Sequence, residues 1–279
     1  MSVIRMVEDE PIQYSILNPT GNITALVESP VPVERQPSVA ASLMERHPEV
    51  EQVGFVQLNG EGPVQARLRM AGGEFCGNAA MSAAALFLLR RGPQGEGAPP
   101  VLQVGVAGVA QPVAVRLRRD TEDSFFAGVH MPPAKSIGEK DFCFGAVRGK
   151  LPVVRMEGIS HIIIEPASPF FSLREDQTAA QQAVRLWCAA LSADCLGLMF
   201  LERTAAECRL TPLVYVPGSG TVFWENSCAS GSSAVGMALA AKTGTPVRLE
   251  LTEPGGRLRV ESDPEKGETW LWGRTRLLS

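Results

Sequence analysis

Short runs of apolar residues recur along the chain, and glycine or proline separates most of them. Proline and glycine predict a turn at Asn18-Pro-Thr-Gly-Asn22. Apolar and β-branched runs predict strands at 12–17, 23–27, 53–58, 64–70, 101–106, 111–117, 153–156, 161–164, 195–201 and 210–216. Helical spacing predicts helices at 38–46 and 178–191, and a polar Gly/Pro-rich segment predicts a loop at 92–100. Strands that alternate with few helices, without regular strand–helix–strand spacing, indicate the α+β class.

Two further predicted helices stand apart because nearly all of their residues are small or apolar. One runs from Cys76 to Arg91, and the other runs from Cys228 to Lys242 before Gly244 ends it. Each segment begins with a cysteine and reaches, sixteen residues later, a glycine that stands one or two positions after a basic residue, and the two cysteines are 152 residues apart in a chain of 279. This repetition indicates two related halves, and the apolar character of the helices indicates that strands of each half surround its helix.

Charge and hydropathy exclude several classes of protein. The formal net charge is −4 and the pI is about 5.6, so the chain offers no basic field to nucleic-acid phosphates or to an anionic membrane. The most apolar stretch, 79–89, has 11 residues, far fewer than the roughly 20 that a membrane-spanning helix needs. Acidic residues occupy the N-terminal segment where a secretory signal would be apolar, so we expect a cytoplasmic protein.

The six cysteines are too sparse for a disulfide framework, and a reducing compartment would keep them as thiols. No Cys-x-x-Cys pair occurs and only three histidines are present, so the spacing of a zinc site is missing and we expect no metal. Four cysteines have no place at the start of a helix, and we expect them to pack as small apolar residues. These four are Cys143, Cys188, Cys195 and Cys208.

Cys76 and Cys228 stand directly before segments rich in Gly, Ser and Asn that open their helices. A helix start presents backbone N–H groups and the positive end of the helix dipole, which can bind a carboxylate and lower the pKa of a thiol. Two such thiols on opposite faces of an amino acid could invert its α-carbon, because one thiolate removes the α-proton and the other thiol returns a proton. The N–H groups would stabilise the charge that develops on the carboxylate. This chemistry needs no cofactor.

At these residues the sequence resembles the diaminopimelate epimerase and proline racemase superfamily, whose members isomerise amino acids without pyridoxal phosphate. The family's Cys-Gly-Asn segment is matched by Cys76-Gly77-Asn78, and its Cys-Gly-Thr-Gly segment is matched with two changes by Cys228-Ala229-Ser230-Gly231. Gly21-Asn22-Ile23 is similar to an upstream segment that touches substrate in the epimerases. Gly158-Ile159-Ser160-His161 is similar to the family's Gly-Asn-Pro-His segment but lacks its Asn. The matches cover most of the chain in order.

The resemblance implies two pseudo-symmetric domains, each a curved, mostly antiparallel sheet wrapped around a central apolar helix, with the active site in the cleft between them. The halves would be 1–127 with 266–279, and 128–265. It implies Cys76 and Cys228 as the catalytic pair, a small-molecule amino acid as the binding partner, a homodimer, and neither cofactor nor metal. The implied substrate-binding residues are Asn22, Gln52, Gly77, Asn78, His161, Glu225, Ser230, Gly231 and Ser232.

Departures from the family pattern disfavour diaminopimelate as the substrate. Diaminopimelate epimerases use a Glu-Arg pair before the second cysteine, whereas this chain has no basic residue between Arg209 and Lys242. The segments Gly72-Gly-Glu-Phe-Cys-Gly-Asn78 and Trp224-Glu-Asn-Ser-Cys228 are more similar to the histidine racemase branch, which supplies D-histidine for metallophores in some bacteria. Glu225 would then accept the substrate ammonium.

Other interpretations stay open at this point. A diaminopimelate epimerase, or a hydroxyproline or proline epimerase, would use the same two thiols. A thiol-disulfide oxidoreductase could use them as well, although such enzymes usually have a local Cys-x-x-Cys pair. A non-catalytic protein could bind a carboxylate at the two helix starts. Glu225 could be an ordinary exposed acid, and His161 could be a buried strand histidine.

Overall fold

A computed structural model of the chain describes residues 2–4, 11–59, 62–91, 101–218 and 220–279. For residues 2–4, only the backbone is described. The loop that the sequence predicts at 92–100 lies outside the described residues, and so does most of the acidic N-terminal segment.

The chain divides into two compact units, one of Met1–His130 with Trp272–Ser279 and one of Met131–Leu271. Both contain many strands and few helices, so the fold is α+β, as the sequence predicts. Within the described residues, no helix combines the length and the apolar character that crossing a membrane requires.

Strands and helices alternate irregularly along both units. The elements of the first unit are β1 (Ser2–Ile4), β2 (Ile12–Pro19), β3 (Thr24–Val27), α1 (Gln36–Arg46), β4 (Gln52–Leu58), β5 (Ala66–Met70), α2 (Gly77–Arg91), β6 (Val101–Val106), β7 (Val113–Arg119) and β8 (Ser124–His130). Those of the second are β9 (Ser136–Phe144), β10 (Val147–Arg155), β11 (Ser160–Ile164), α3 (Gln177–Leu191), β12 (Leu196–Arg203), β13 (Cys208–Val216), β14 (Thr221–Trp224), α4 (Ala229–Thr243), β15 (Val247–Glu253) and β16 (Gly256–Asp263). The last strand, β17 (Glu268–Leu277), begins in the second unit and ends in the first. Short 3-10 turns precede α1 at Val33–Arg35 and α3 at Phe171–Glu175.

The strands of the first unit form a sheet that closes on itself. Strands β3 and β4, and strands β5 and β6, pair in parallel, whereas the other neighbours from β1 to β8 pair antiparallel. Parallel neighbours need a crossover connection, which α1 provides for the first pair and α2 for the second. The sheet closes through β17, which pairs antiparallel with β2, with Leu277 opposite Leu17, and also pairs with β8.

Helix α2 lies against strands β2 to β8 of this sheet. Every residue from Gly77 to Leu88 is buried, and most of them are alanine or another small residue, so strands can approach the helix on several sides. Ser82 Oγ lies 3.4 Å from Thr275 Oγ1 of β17. The helix carries charged residues only at its end, where Arg90 pairs with Glu28 at 2.6 Å.

The sheet of the second unit has the same kinds of pairing. Strands β11 and β12, and strands β13 and β15, pair in parallel, with α3 and α4 in the two crossovers. The pairs β9–β10, β10–β11, β12–β13, β13–β14 and β15–β16 are antiparallel. Hairpins and two helical crossovers therefore build this unit as well.

Helix α3 buries one face against the sheet of the second unit. The Asp176 carboxylate caps its start by accepting the Ala179 N–H at 2.9 Å. On the buried face, the Trp187 ring packs between Phe142 and Phe170, with ring centroids 5.1 and 5.0 Å away. Trp187 Nε1 donates to the Cys143 carbonyl at 2.9 Å, so its one polar atom is satisfied.

Helix α4 is buried along most of its length and contacts strands β9 to β12, β15 and β16. Its backbone comes so close to β16 that a β-carbon on Gly236 would lie 2.7 Å from Val260 Cγ2. Gly244 ends the helix in the left-handed region, at φ 68°, which glycine adopts without strain.

The sequence patterns identify only part of the strands, and the missed ones include the buried strand β8. They predict no strand at β8, β9 or β14, nor at β15 to β17. In β9 the residues from Ser136 to Asp141 are all exposed, so no buried face produces an alternating pattern. In β15 and β16 the alternation is present in the sequence, and these two strands could have been predicted from it.

Candidate active site

Cys76 lies at the start of α2 and caps it. Its sulfur accepts the Ala79 N–H at 3.4 Å, and its carbonyl accepts the Ala80 N–H at 3.0 Å. This is the bonding pattern of a helix N-cap, with sulfur in place of the usual oxygen. The residue is half-buried, so the thiol remains within reach of a ligand.

A chain of hydrogen bonds holds the Cys76 thiol from the side of the sheet. The thiol donates to Gln52 Oε1 at 3.3 Å, and Gln52 Nε2 donates to Thr24 Oγ1 at 2.7 Å. Thr24 Oγ1 in turn donates to the Asn22 carbonyl at 3.0 Å. The parallel pairing of β3 with β4, with Thr24 opposite Gln52, brings these residues together although they are far apart in sequence.

Asn22 is buried beside this chain, and its amide oxygen is available for a further bond. Asn22 Nδ2 donates to Glu51 Oε2 at 3.4 Å, whereas Oδ1 is buried with no hydrogen-bond partner in the part of the chain that the structure describes. An unsatisfied buried oxygen costs about 1–3 kcal/mol, so it is a candidate acceptor for a ligand N–H. Gly77 and Asn78 are also buried and form the first turn of α2.

Cys228 repeats at α4 the arrangement of Cys76 at α2. Its sulfur accepts the Gly231 N–H at 3.4 Å, and its carbonyl accepts the Ser232 N–H at 2.9 Å. Cys228 is the N-cap of α4, with an extended backbone. It is more deeply buried than Cys76, at 4% exposure.

His161 approaches the second thiol through Ser230. Its Nε2 lies 3.0 Å from Ser230 Oγ, which lies 3.7 Å from Cys228 Sγ. The ring has no exposed surface, and its Nδ1 faces Gly197 so closely that a β-carbon there would collide with it. Burial lowers the pKa of His161 to about 3, so the imidazole is neutral and contacts the thiol region through Ser230.

Two carboxylates surround Cys228. Glu225 is partly buried and hydrogen-bonds the Cys228 side chain. Glu253, at the end of β15, accepts the backbone N–H of Cys228 at 2.7 Å through Oε2 and the Ser232 hydroxyl through Oε1. The Ser232 hydroxyl, which the sequence suggests as a substrate contact, is therefore fully buried and bonded to protein.

The electrostatics of Cys228 correct one expectation. The helix start leads us to expect a lowered thiol pKa, but burial, followed by the charges of Glu225 and Glu253, raises the pKa of Cys228 well above its usual value. The Gly231 N–H acts in the expected direction, and desolvation outweighs it. Cys228 is accordingly a thiol at neutral pH.

Glu253 is a site residue that the sequence patterns do not reveal. It lies 25 residues after Cys228 in the sequence, in a strand that the patterns do not predict. The signal was a charged residue on the buried face, because Glu253 follows Leu251 by two positions and both are buried. A buried acid in a strand is unusual enough to mark a site candidate.

The structure places the predicted site residues in two sets, one in each unit. In the first unit, Cys76 and its helix start come together with Gln52 and Asn22. In the second, Cys228 and its helix start come together with Glu225 and His161. Across the described ranges, no three His, Cys, Asp or Glu side chains form a group that could hold a metal ion.

Comparison with known proteins identifies relatives along almost the whole chain. The family described as "Histidine racemase CntK N-terminal domain" matches residues 11–270. A histidine racemase of Fusobacterium nucleatum subsp. nucleatum is 31% identical over 261 residues, which cover 90% of each chain. A histidine racemase of Staphylococcus aureus is 28% identical over 255 residues, covering 90% of this chain and 88% of the relative.

A solved structure shares the fold. The crystal structure of a probable proline racemase from Agrobacterium radiobacter K84 superposes with a TM-score of 0.66. It covers 96% of this chain and 92% of its own, at 14% identity. At this level of identity the likeness establishes the fold alone.

Proposed function

Because the chain belongs to the histidine racemase family, we propose that it interconverts L-histidine and D-histidine without a cofactor, through the thiols of Cys76 and Cys228. The match over residues 11–270 confirms the predicted superfamily and the predicted class of enzyme, an amino-acid racemase. The substrate and the two-thiol mechanism go beyond that match and are the content of the proposal.

The equivalent placement of the two cysteines is the observation that carries the mechanism. Each caps an apolar helix with a sulfur that accepts the N–H of the third following residue, at 3.4 Å in both cases. This position puts a thiol beside the backbone amides that can hold a carboxylate. Cysteines that serve only for packing have no need of this position, and Cys188, which lies within α3, does not occupy it.

Two halves with the same arrangement of strands and helices would explain why the two cysteines lie at equivalent positions. Along β2 to β7, and along β10 to β13, β15 and β16, the same sequence of antiparallel and parallel pairs recurs, with a helix in each parallel crossover. In this proposal the halves, 1–127 with 266–279 and 128–265, are pseudo-symmetric, and each is a curved sheet around its apolar helix. The two-thiol mechanism requires both thiols to reach one substrate, as the active site that the superfamily resemblance implies between the halves would allow.

The deep burial of Cys228 supports its role as the acid, and we assign the complementary role of base to Cys76. Cys228 is held as a thiol by burial and by Glu225, so it serves as the acid in the resting enzyme. Cys76, as the thiolate, takes the α-proton from one face of the substrate, and Cys228 gives its proton to the opposite face. The enzyme then holds a Cys76 thiol and a Cys228 thiolate, which is the form that processes the other enantiomer.

Helix starts and acidic groups account for substrate binding. The structure pairs the Cys228, Gly231 and Ser232 amides with protein groups, and we assign the Ala229 and Ser230 amides between them to the substrate carboxylate. Glu225 is placed to attract the substrate ammonium. With no basic residue between positions 209 and 242 to hold a second carboxylate, this helix start favours a neutral or basic side chain over that of diaminopimelate.

A homodimer in the cytoplasm completes the proposal. Its support is the resemblance to the superfamily, because the fold of one chain does not decide assembly. Analytical ultracentrifugation tests it, with an expected mass of twice the 29.9 kDa of the chain.

The substrate is tested by α-proton exchange. We expect the protein, in D2O and without pyridoxal phosphate, to exchange the α-proton of L-histidine in NMR spectra and to produce D-histidine. Diaminopimelate and proline are the comparison substrates. Faster turnover of either comparison substrate than of histidine would overturn the assignment of substrate, and no exchange with basic, acidic or imino acids would overturn the racemase mechanism.

The mechanism is tested by replacing one thiol at a time. Cys76→Ser and Cys228→Ser should each abolish racemisation, because a hydroxyl is far less acidic than a thiol and cannot take its place as base or acid. Cys143→Ser is the matched control, because this thiol is exposed on β9 and does not cap a helix. Full activity in either of the first two variants would show that the two-thiol assignment is wrong.

A further inference from the structure

We infer that Glu253 is a positioning residue for Cys228, which holds the backbone amide of the thiol residue and, once ionised, opposes loss of the thiol proton. The inference rests on the proposed function for the role of Cys228 in the reaction. It adds a residue whose carboxyl group contacts the Cys228 amide and the Ser232 hydroxyl and to which the proposed mechanism assigns no role.

The geometry is that of a clamp on the first turn of α4. Glu253 Oε2 accepts the Cys228 amide at 2.7 Å, and Oε1 accepts the hydroxyl of Ser232, four residues further along the chain. One carboxyl group therefore ties the cap residue to the first turn of the helix. Its position at the positive end of the helix dipole favours a carboxylate there.

Burial gives this carboxyl its electrostatic effect. Glu253 is 4% exposed, and no Lys or Arg forms an ion pair with it in the ranges that the structure describes. The other titratable groups that face this pair are Glu225, whose charge acts on both Glu253 and Cys228, and His161, whose buried ring is neutral. No positive side chain among these groups offsets the negative charge of Glu253.

The negative charge of Glu253 and the ionisation of the Cys228 thiol oppose one another. Burial raises the pKa of Glu253 to about 8, and the charge of Glu253 in turn raises the pKa of Cys228. In the pH range where Cys228 would lose its proton, Glu253 is already ionised and opposes the loss. Removing this charge should make the thiol more acidic.

The experiment measures ionisation of Cys228 in the full-length protein without substrate. Thiolate absorbance near 240 nm is recorded against pH for wild type and for Glu253→Gln, and the curve of the matching Cys228→Ser protein is subtracted from each. Glutamine keeps the size of the side chain and an oxygen that accepts the Cys228 amide. We expect the midpoint of the Cys228 titration to fall by about one to two pH units in Glu253→Gln, and the alkaline limb of kcat/KM to move with it.

Glu250→Gln is the matched control, because Glu250 lies on the same strand with its side chain 62% exposed. It should leave the Cys228 midpoint where it is in wild type. An unchanged midpoint in Glu253→Gln, or an equal shift in Glu250→Gln, would overturn the inference. Activity in Cys228→Ser would instead overturn the proposed function, and the titration would still report on Glu253.

A measurement on the wild-type protein covers the case in which Glu253→Gln does not fold. The Cys228 amide donates to Glu253 Oε2, so its 15N and 1H chemical shifts report ionisation of the carboxyl. We expect these shifts to titrate with a midpoint at about pH 8. Absence of this step together with an ordinary midpoint of about pH 8.5 for the Cys228 thiol would overturn the inference.

Discussion

Acidification from about pH 7 to pH 5 should destabilise the second unit, because His161 is buried where its ring cannot accept a proton. Nε2 lies 3.0 Å from Ser230 Oγ, and Nδ1 is pressed against Gly197 of β12. Burial lowers the pKa of His161 to about 3, whereas an exposed histidine in the unfolded chain has a pKa of about 6.5. Between these values the unfolded chain binds a proton that the folded protein does not bind.

The sign and size of the change in the free energy of unfolding follow from the difference between the folded and unfolded pKa values of His161. Stability that His161 contributes is fully present above about pH 6.5 and is lost as the pH falls towards 3. Each pH unit in this window costs about 1.4 kcal/mol, so the step from pH 7 to pH 5 should remove about 2 kcal/mol of the free energy of unfolding.

Urea unfolding at the two pH values, followed by far-UV circular dichroism, measures the effect. Other groups also titrate in this range, so the relevant quantity is the loss in wild type minus the loss in His161→Gln. Glutamine can place its amide nitrogen near the position of Nε2 and does not titrate. We expect the difference to be about 2 kcal/mol. Equal losses in both proteins would refute the buried, neutral state of His161.

Two further predictions concern the packing of the second unit. Gly236→Ala should destabilise the protein by about 1–3 kcal/mol in urea unfolding, because the new β-carbon would lie 2.7 Å from Val260 Cγ2. Gly138→Ala should lower the free energy of unfolding far less, because among the described residues only its chain neighbours come within 4 Å of a β-carbon there, and an equal loss would contradict the close packing of α4. Trp187→Ala should lower the free energy of unfolding by about 3–5 kcal/mol, since its ring is fully buried. Leu186→Ala on the exposed face of α3 should change it by less than about 0.5 kcal/mol, and similar losses would contradict the burial of that face.

Apolar spacing predicts several of the elements that bury a face, but it leaves out the buried strand β8 and the half-buried strands β15 to β17. Helix α2 and strands β4 and β6 lie close to where apolar spacing places them, because burial selects the side chains of these elements. Strand β9 gives no such signal, since both of its faces are exposed over most of its length. Its partner β10, and not its own composition, makes it a strand.

The candidate site also contains residues that the sequence predicts and residues that it does not. The cysteines and their helix starts can be predicted because the groups that act together are neighbours in the sequence. The contact between Gln52 and Cys76 depends on the sheet, and so does the contact between Glu253 and Cys228. The direction of the Cys228 pKa shift is missed for a related reason, because the sequence reveals the helix start but not the depth at which the sulfur is buried.

The sulfur caps of α2 and α4 show how the chain balances folding against reactivity. Serine, aspartate and asparagine are the residues that cap helices best, and sulfur is a weak acceptor of hydrogen bonds. With Cys76 and Cys228 in these positions, the protein does without stabilisation of about 1 kcal/mol at each helix that an oxygen cap would supply. A sequence optimised for folding alone would carry serine at both places. The two thiols are therefore positions where local stability is given up, as is typical of residues kept for their chemistry.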